Sequence, residues 1–149
     1  MSQLTAKVKI RRARRSDSAQ IAELTTQLGY PATIGEMAQR LSLVIPECDS
    51  AVFVAFTAPA SVIGWLHVSV TRLLEVPLRA EVNGLVVDEK RRSLGAGAML
   101  LAAAERWAKS QGCKSMSVRS NVIRDRAHAF YERHGYEHYK TQKAFRKIL

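Results

Sequence analysis

The chain has 149 residues, 47% hydrophobic and 24% charged, which is the balance of one globular domain rather than of a disordered chain. No run of about 18 apolar residues is present, so no membrane span is expected. The segment Met1–Arg15 carries six basic residues but no apolar signal core. The net charge of +10 favours anionic partners such as phosphates, nucleic acid or an acidic surface; the bland alternative is a solvated basic surface.

The chain then reads as a single domain, 1–149, with no internal repeat, low-complexity tract or linker. "AKVKIRRA" alternates Val8 and Ile10 and predicts a first strand with its charges outward. Ser16 or Asp17 can cap the helix that follows. Its apolar positions Ile21, Leu24 and Leu28 recur at helical spacing, and Gly29 ends it. Thr33 and Glu36 form a capping-box pattern before a second stripe, Ile34, Met37, Leu41 and Val44, stopped at Pro46. Cys48 lies beyond that helix and Cys113 far downstream. Their spacing fits neither a disulfide framework nor a zinc site; it suits two buried thiols in a reduced, cytoplasmic compartment.

"AVFVAFT" and "SVIGWLHVSV", separated by "APA", predict a hairpin. Trp65 within it reads as core or as a substrate-pocket residue. "AEVNGLVV" predicts another strand, followed by a long helix from about Gly95 to Gln111, on which Leu100, Ala103, Ala104, Trp107 and Ala108 share a face. "KSMSVRS" predicts a short strand, "DRAHAFYERHGY" a helix ended at Gly135, and "YEHYK" with "KAFRKIL" a last pair of strands. The order β-α-α-β-β-β-α-β-α-β predicts an α/β layer architecture built on a mixed sheet.

Gly95 and Gly97 stand where a strand hands over to a helix, beside Lys90, Arg91 and Arg92. Glycines there allow a tight turn and close approach of a ligand to the backbone. The first amides of a helix lack internal partners and the dipole is positive at that end, so a phosphate is the natural guest. The alternative is a tight strand-to-helix turn with no ligand. The spacing excludes the Gly-x-x-x-x-Gly-Lys-Ser/Thr loop, and Leu100 stands where a Gly-x-Gly-x-x-Gly motif needs its third glycine.

"RSLGAG", Arg92 to Gly97, resembles the Arg/Gln-x-x-Gly-x-Gly/Ala signature of the GNAT acyltransferase superfamily. "RAHAFYERHGY", Arg126 to Tyr136, resembles its second signature. The predicted element order is similar to that family's over essentially the whole chain. The resemblance implies a mostly antiparallel sheet flanked by helices and splayed between its fourth and fifth strands. It implies acetyl-CoA or a related acyl-CoA as cosubstrate, with no metal. The pyrophosphate would be held by Arg92, Ser93 and the amides of Leu94, Gly95, Ala96, Gly97 and Ala98. The pantetheine would run along Leu85, Val86 and Val87, with Arg124 and Ala127 on its other side. Arg124 stands where the family usually has asparagine, with Asn121 nearby but out of register.

The resemblance also implies the chemistry. Glu81 precedes Val87 by six residues, the spacing of the base in the histone acetyltransferase branch. In a regular strand Glu81, Asn83, Leu85 and Val87 would face one way, and a bulge at Gly84 would change that phase. Glu81 is thus the candidate base, or else a surface glutamate that attracts a cationic substrate. Tyr131 would protonate the leaving thiolate, and a tyrosine with a pKa of about 10 can donate at neutral pH. A backbone N–H near Leu85–Val87 would polarise the carbonyl. The expected reaction is direct transfer of an acetyl group to a primary amine on a small molecule or peptide. Polyamines, aminoglycosides, amino acids and protein amines remain open as acceptors. The competing class is an inactive relative, a basic nucleic-acid- or protein-binding module, although no nucleic-acid recognition signature is visible. His67, His128, His134 and His138 lack metal-ligand spacing. Homodimers are common in the family.

Overall fold

A computed structural model describes residues 7–120 and 122–149. Ala6, at the head of the first expected strand, and Asn121 lie outside them. The described chain divides into two compact units, within Met1–Val118 and Arg119–Leu149. The first holds a five-stranded sheet in the order β1 (Lys9–Arg12), β2 (Ser50–Thr57), β3 (Ser61–Thr71), β4 (Arg79–Val87) and β5 (Met116–Val118). The first three pairings are antiparallel; β4 and β5 are parallel. Helices α1 (Ser18–Leu28), α2 (Ile34–Val44) and α3 (Ala96–Ser110) complete this unit.

Local signals in the sequence form most of these elements as expected. Thr33 Oγ1 accepts from the Glu36 amide at 3.1 Å, and Glu36 Oε1 accepts from the Thr33 amide at 3.0 Å, so the capping box starts α2. Gly29 takes φ 102° to end α1. Met37 and Leu41 of the second stripe are buried, whereas Ile34 stays exposed at the helix start. The thiols are not buried as expected: Cys48, in the turn after α2, is exposed, and Cys113, just past α3, is half-buried. Asp17 does not cap α1. Its carboxylate turns back to accept from the Arg14 amide at 2.7 Å and from the Arg11 guanidinium at 2.8 Å through both oxygens. Burial acts to raise the Asp17 pKa, but these hydrogen bonds outweigh it and hold it below the ordinary value.

The sheet is covered on both faces. Ile21, Ala22 and Leu24 of α1 and Met37 and Leu41 of α2 bury Val52, Val54 and Val86, with Trp65 packed at the edge of this cluster. Helix α3 packs on β2, β3 and β4 and buries Leu100, Leu101 and Ala104. Each such fully buried leucine contributes on the order of 1.5–3 kcal/mol. Among the described residues no helix is long and apolar enough to cross a membrane.

The second unit holds helix α4 (Asp125–Arg133), after which Gly135 takes φ 87°. The expected pair of closing strands is not formed. Residues 137–149 make no regular element, and among the described residues no backbone–backbone hydrogen bond reaches them. An alternating pattern becomes a strand only when a neighbour accepts its ladder. Phe145, Ile148 and Leu149 are exposed here.

Replacing Thr33 with Ala should remove the α2 cap and cost about 1 kcal/mol of unfolding free energy. Denaturant unfolding checks this, and an unchanged midpoint would mean that the capping box does not anchor α2.

Candidate active site

The pairing of β4 with β5 is short: Ala80 with Met116, Glu81 with Ser117 and Val82 with Val118. Beyond Val82 this edge of β4 has no strand partner among the described residues, while its other edge continues along β3 as far as Val87. The sheet therefore opens between its fourth and fifth strands, leaving backbone donors and acceptors of β4 available to an extended ligand.

At the end of β4 the chain enters a 3₁₀ segment, Glu89–Leu94, interrupted at Arg91, which the sequence did not signal. Asp88 caps it by accepting from the Lys90 amide at 3.2 Å. Gln27 of α1 reaches across to accept from the Glu89 amide at 3.2 Å and so pins the segment to the core. Gly95 then takes φ 77°, in the left-handed region that favours glycine, and starts α3. With no side chain, Gly95 cannot cap the first amides of the helix. A Cβ built at Gly95 would meet nothing within 4 Å, so the glycine serves backbone conformation rather than internal packing. Lys90 and Arg92 are exposed and Arg91 half-buried around this turn. Arg92, Ser93, Leu94, Gly95, Ala96, Gly97 and Ala98 thus come together as a turn and helix N-terminus suited to an anion. Ala96 is buried beneath it.

The expected common face of Glu81, Asn83, Leu85 and Val87 is broken. His67 pairs with Gly84 and Val68 with Val82, so Asn83 is the extra residue of a β-bulge. The bulge puts Glu81, opposite Ser69, on the same face as Gly84 and Val86. Val87 lies on the other face, near Gly64 and Leu100. The Asn83 side chain donates to Ser69 Oγ at 2.8 Å, at the exposed end of this face. A glycine inside a strand pattern was the available signal for such a bulge.

Trp65 and His67 share the Glu81 face on β3. A Cβ at Gly84 would lie 2.7 Å from the Trp65 ring, so glycine there lets the indole lie across β4. Burial pulls the His67 pKa below its ordinary value.

Tyr131, Arg124 and Ala127 belong to the second unit. Tyr131 sits on α4, its ring edge-on to Phe130 at 5.3 Å and to Tyr136 at 5.9 Å. Burial pushes the Tyr131 phenol up to about 12, with the nearby Arg124 cation pulling the other way. The phenol therefore stays protonated throughout the neutral range. In the same unit the His134 ring lies tilted by 56° against Phe130 at 4.7 Å, and His138 Nε2 lies 3.1 Å from the Lys140 carbonyl oxygen.

Comparison with known proteins agrees with this geometry. The Acetyltransferase (GNAT) family model matches residues 20–136. An aminoglycoside N(6')-acetyltransferase type 1 of Stenotrophomonas maltophilia is 27% identical over 144 residues, covering 94% of this chain and 93% of that protein. Two solved structures share the fold. The aminoglycoside 6'-N-acetyltransferase AAC(6')-Ih of Acinetobacter baumannii has a TM-score of 0.84 at 19% identity, covering 96% of this chain and 99% of that one. AAC(6')-Iy in complex with CoA has a TM-score of 0.86 at 18% identity, covering 100% of both chains. The chain belongs to the GNAT acetyltransferase family.

The raised Tyr131 pKa has a measurable consequence. The folded state holds a proton that an unfolded tyrosine releases near pH 10, so the associated stability is whole below about pH 10 and is lost as pH rises through the folded value. Near-UV absorbance titration of the chain and of Tyr131→Phe should differ by one phenol ionising near pH 12. A difference centred near the ordinary value would show that Tyr131 is solvated.

Proposed function

We propose that this GNAT acetyltransferase moves an acetyl group from acetyl-CoA directly to a primary amine of an aminoglycoside or a similar amino sugar. The observation that carries the cosubstrate is the uncapped start of α3 behind Gly95, directly downstream of the open edge of β4. The pieces fit the parts of acyl-CoA: amides and cationic side chains for the diphosphate, and an unpaired strand edge for the amide-bearing pantetheine arm. The amino-sugar acceptor is suggested by the relative from Stenotrophomonas maltophilia, whose name gives that activity.

Arg92 and the amides from Leu94 to Ala98 hold the diphosphate, and Leu85, Val86 and Val87 offer backbone groups to the pantetheine. Acetyl-CoA supplies an activated thioester carbonyl. Glu81 takes a proton from the acceptor ammonium, directly or through one water, because only the neutral amine is nucleophilic. A nitrogen–carbon bond then forms as the carbon–sulfur bond breaks, and the second proton that the nitrogen sheds as the amide forms restores the Tyr131 phenol, directly or through water. A backbone N–H of β4 near Leu85–Val87 hydrogen-bonds the carbonyl oxygen as charge gathers on it. Tyr131 donates to the departing sulfur. With its pKa raised it is a weak acid, so its contribution is a hydrogen bond that strengthens as the thiolate forms, followed by proton transfer as the thiol is released. Arg124 adds positive charge near Tyr131 and favours the same developing anion.

Thiol release with acetyl-CoA and neamine tests these roles. Tyr131→Phe should lower kcat about a hundredfold and leave acetyl-CoA affinity nearly unchanged. Glu81→Gln should lose most activity near neutral pH and recover as the pH approaches the acceptor's own pKa. Full turnover by Tyr131→Phe, or a pH profile for Glu81→Gln parallel to that of the parent chain, would remove that residue from the mechanism.

A further inference from the structure

The face that carries Glu81 holds several polar atoms that the fold leaves unused. Trp65 Nε1, His67 Nε2, Arg79 Nε and Ser117 Oγ are each closed off from solvent and have no hydrogen-bond partner among the described residues. A fifth such atom, Ser120 Oγ, belongs to the second unit. Leaving one buried donor unpaired costs about 1–3 kcal/mol, and native proteins keep few of them.

Their positions are related by the register. Ser117 on β5 is the direct partner of Glu81. Arg79 lies two residues before Glu81 on β4, in the regular part of the strand, and so shares its face. Ser69 on β3 is the other direct partner of Glu81, and His67 and Trp65 follow it at successive same-face positions. The bulge at Asn83 brings this row onto the Glu81 face; without it, Glu81 and Gly84 would point to opposite sides. The absent side chain at Gly84 lets the Trp65 ring lie over β4. All four residues keep part of their surface accessible, so a small side-chain rotation can present each orphaned atom to a ligand.

Two of the four groups can only donate, and the other two can donate or accept. Trp65 Nε1–H and Arg79 Nε–H only donate, and the Ser117 hydroxyl can donate. His67, kept neutral by burial, can give its proton to a ligand through either nitrogen. Their complement is a molecule that brings oxygen lone pairs to the neighbourhood of a carboxylate. Neutral hydroxyl and ether oxygens supply those lone pairs without adding a second negative charge beside the Glu81 carboxylate. A plain alkyl polyamine offers only ammonium donors, which His67 and Ser117 can accept but which leave Trp65 Nε1–H and Arg79 Nε–H unpaired.

We infer that Trp65, His67, Arg79 and Ser117 form an oxygen-recognising shell around Glu81 that selects primary amines carrying hydroxyl or ether oxygens beside the reacting nitrogen. The inference rests on the reading of Glu81 as the residue that receives the acceptor amine. A site built to hydrogen-bond oxygen rejects analogues that lack it, because its own buried groups then stay unpaired. The shell thus adds selection among amines to the attraction that Glu81 exerts on any cation.

The chain has two tryptophans, Trp65 and Trp107, and Trp107 is buried on α3 away from this face. Each gives one indole N–H resonance in nitrogen-15 NMR, so the second serves as an internal control. Neamine titrated into the full chain should move the Trp65 resonance and leave Trp107 in place, whereas spermidine should move neither. In thiol-release assays Trp65→Phe and Ser117→Ala should each raise KM for neamine about three- to tenfold, the value of one hydrogen bond, with kcat and KM for acetyl-CoA unchanged. A Trp65 resonance that stays put at millimolar neamine, or that spermidine moves equally, overturns the inference whether or not neamine is acetylated. Absence of acetyl transfer to neamine while Trp65 still responds to it counts against the amino-sugar reaction and leaves the shell standing.

Discussion

Every backbone amide and carbonyl of a strand needs a partner, and on one side of β4 the strand partners among the described residues run out after Val82. β5 is only three residues long and supplies the ladder for Ala80 to Val82, after which the strand edge is open. The opposite edge remains paired to β3, so β4 is held rigidly while half of it stays available. An extended ligand with its own amides can complete the ladder at little cost in protein rearrangement. The turn at Gly95 and the start of α3 lie just beyond the open edge, which lines up an uncapped helix N-terminus with an unpaired strand edge. That alignment suits a long ligand with phosphates at one end and amides along its arm.

The second constraint is the bulge at Asn83. A regular β4 would turn Glu81 away from the face that holds Gly84 and Val86; the extra residue returns it to that face. The same face changes character along its length. Near Val52, Val54 and Val86 it is closed by α1 and α2. Toward Ser69, Glu81 and Asn83 it becomes polar and more accessible. Trp65 and His67 stand at the transition, with hydrogen-bonding atoms the core does not satisfy. The apolar part stabilises the sheet, and the polar part carries the Glu81 carboxylate. Part of the chain's positive charge has a packing role of its own: Arg11 and Arg12 lie over the Phe56 and Phe53 rings at 5.2 and 5.0 Å.

Legibility in the sequence followed the range of the interactions involved. The capping box at Thr33, the stop at Gly29, the β2–β3 hairpin and the strand-to-helix turn at Gly95 are local, and each is visible within a few residues. The Asp17 carboxylate had two competing local uses, and the Arg11 side chain six residues away decided between them. The bulge was visible only as an out-of-place glycine, since its effect depends on the register against β3. Arg79 and Ser117 carried no motif at all, because their meaning comes from cross-strand neighbours. The closing strands were misread because residues 137–149 have strand-like composition without a neighbouring ladder to join.

The central claim is that the open edge of β4 and the Gly95 turn together form an acyl-CoA site rather than a basic patch. Calorimetric titration of the full chain with acetyl-CoA at two salt concentrations, beside CoA and ATP, tests it most directly. A true site uses backbone amides and strand addition as well as charge, so micromolar acetyl-CoA binding should persist at the higher salt and exceed that of ATP. Binding that disappears with salt, or that is no tighter for acetyl-CoA than for ATP, would contradict the account.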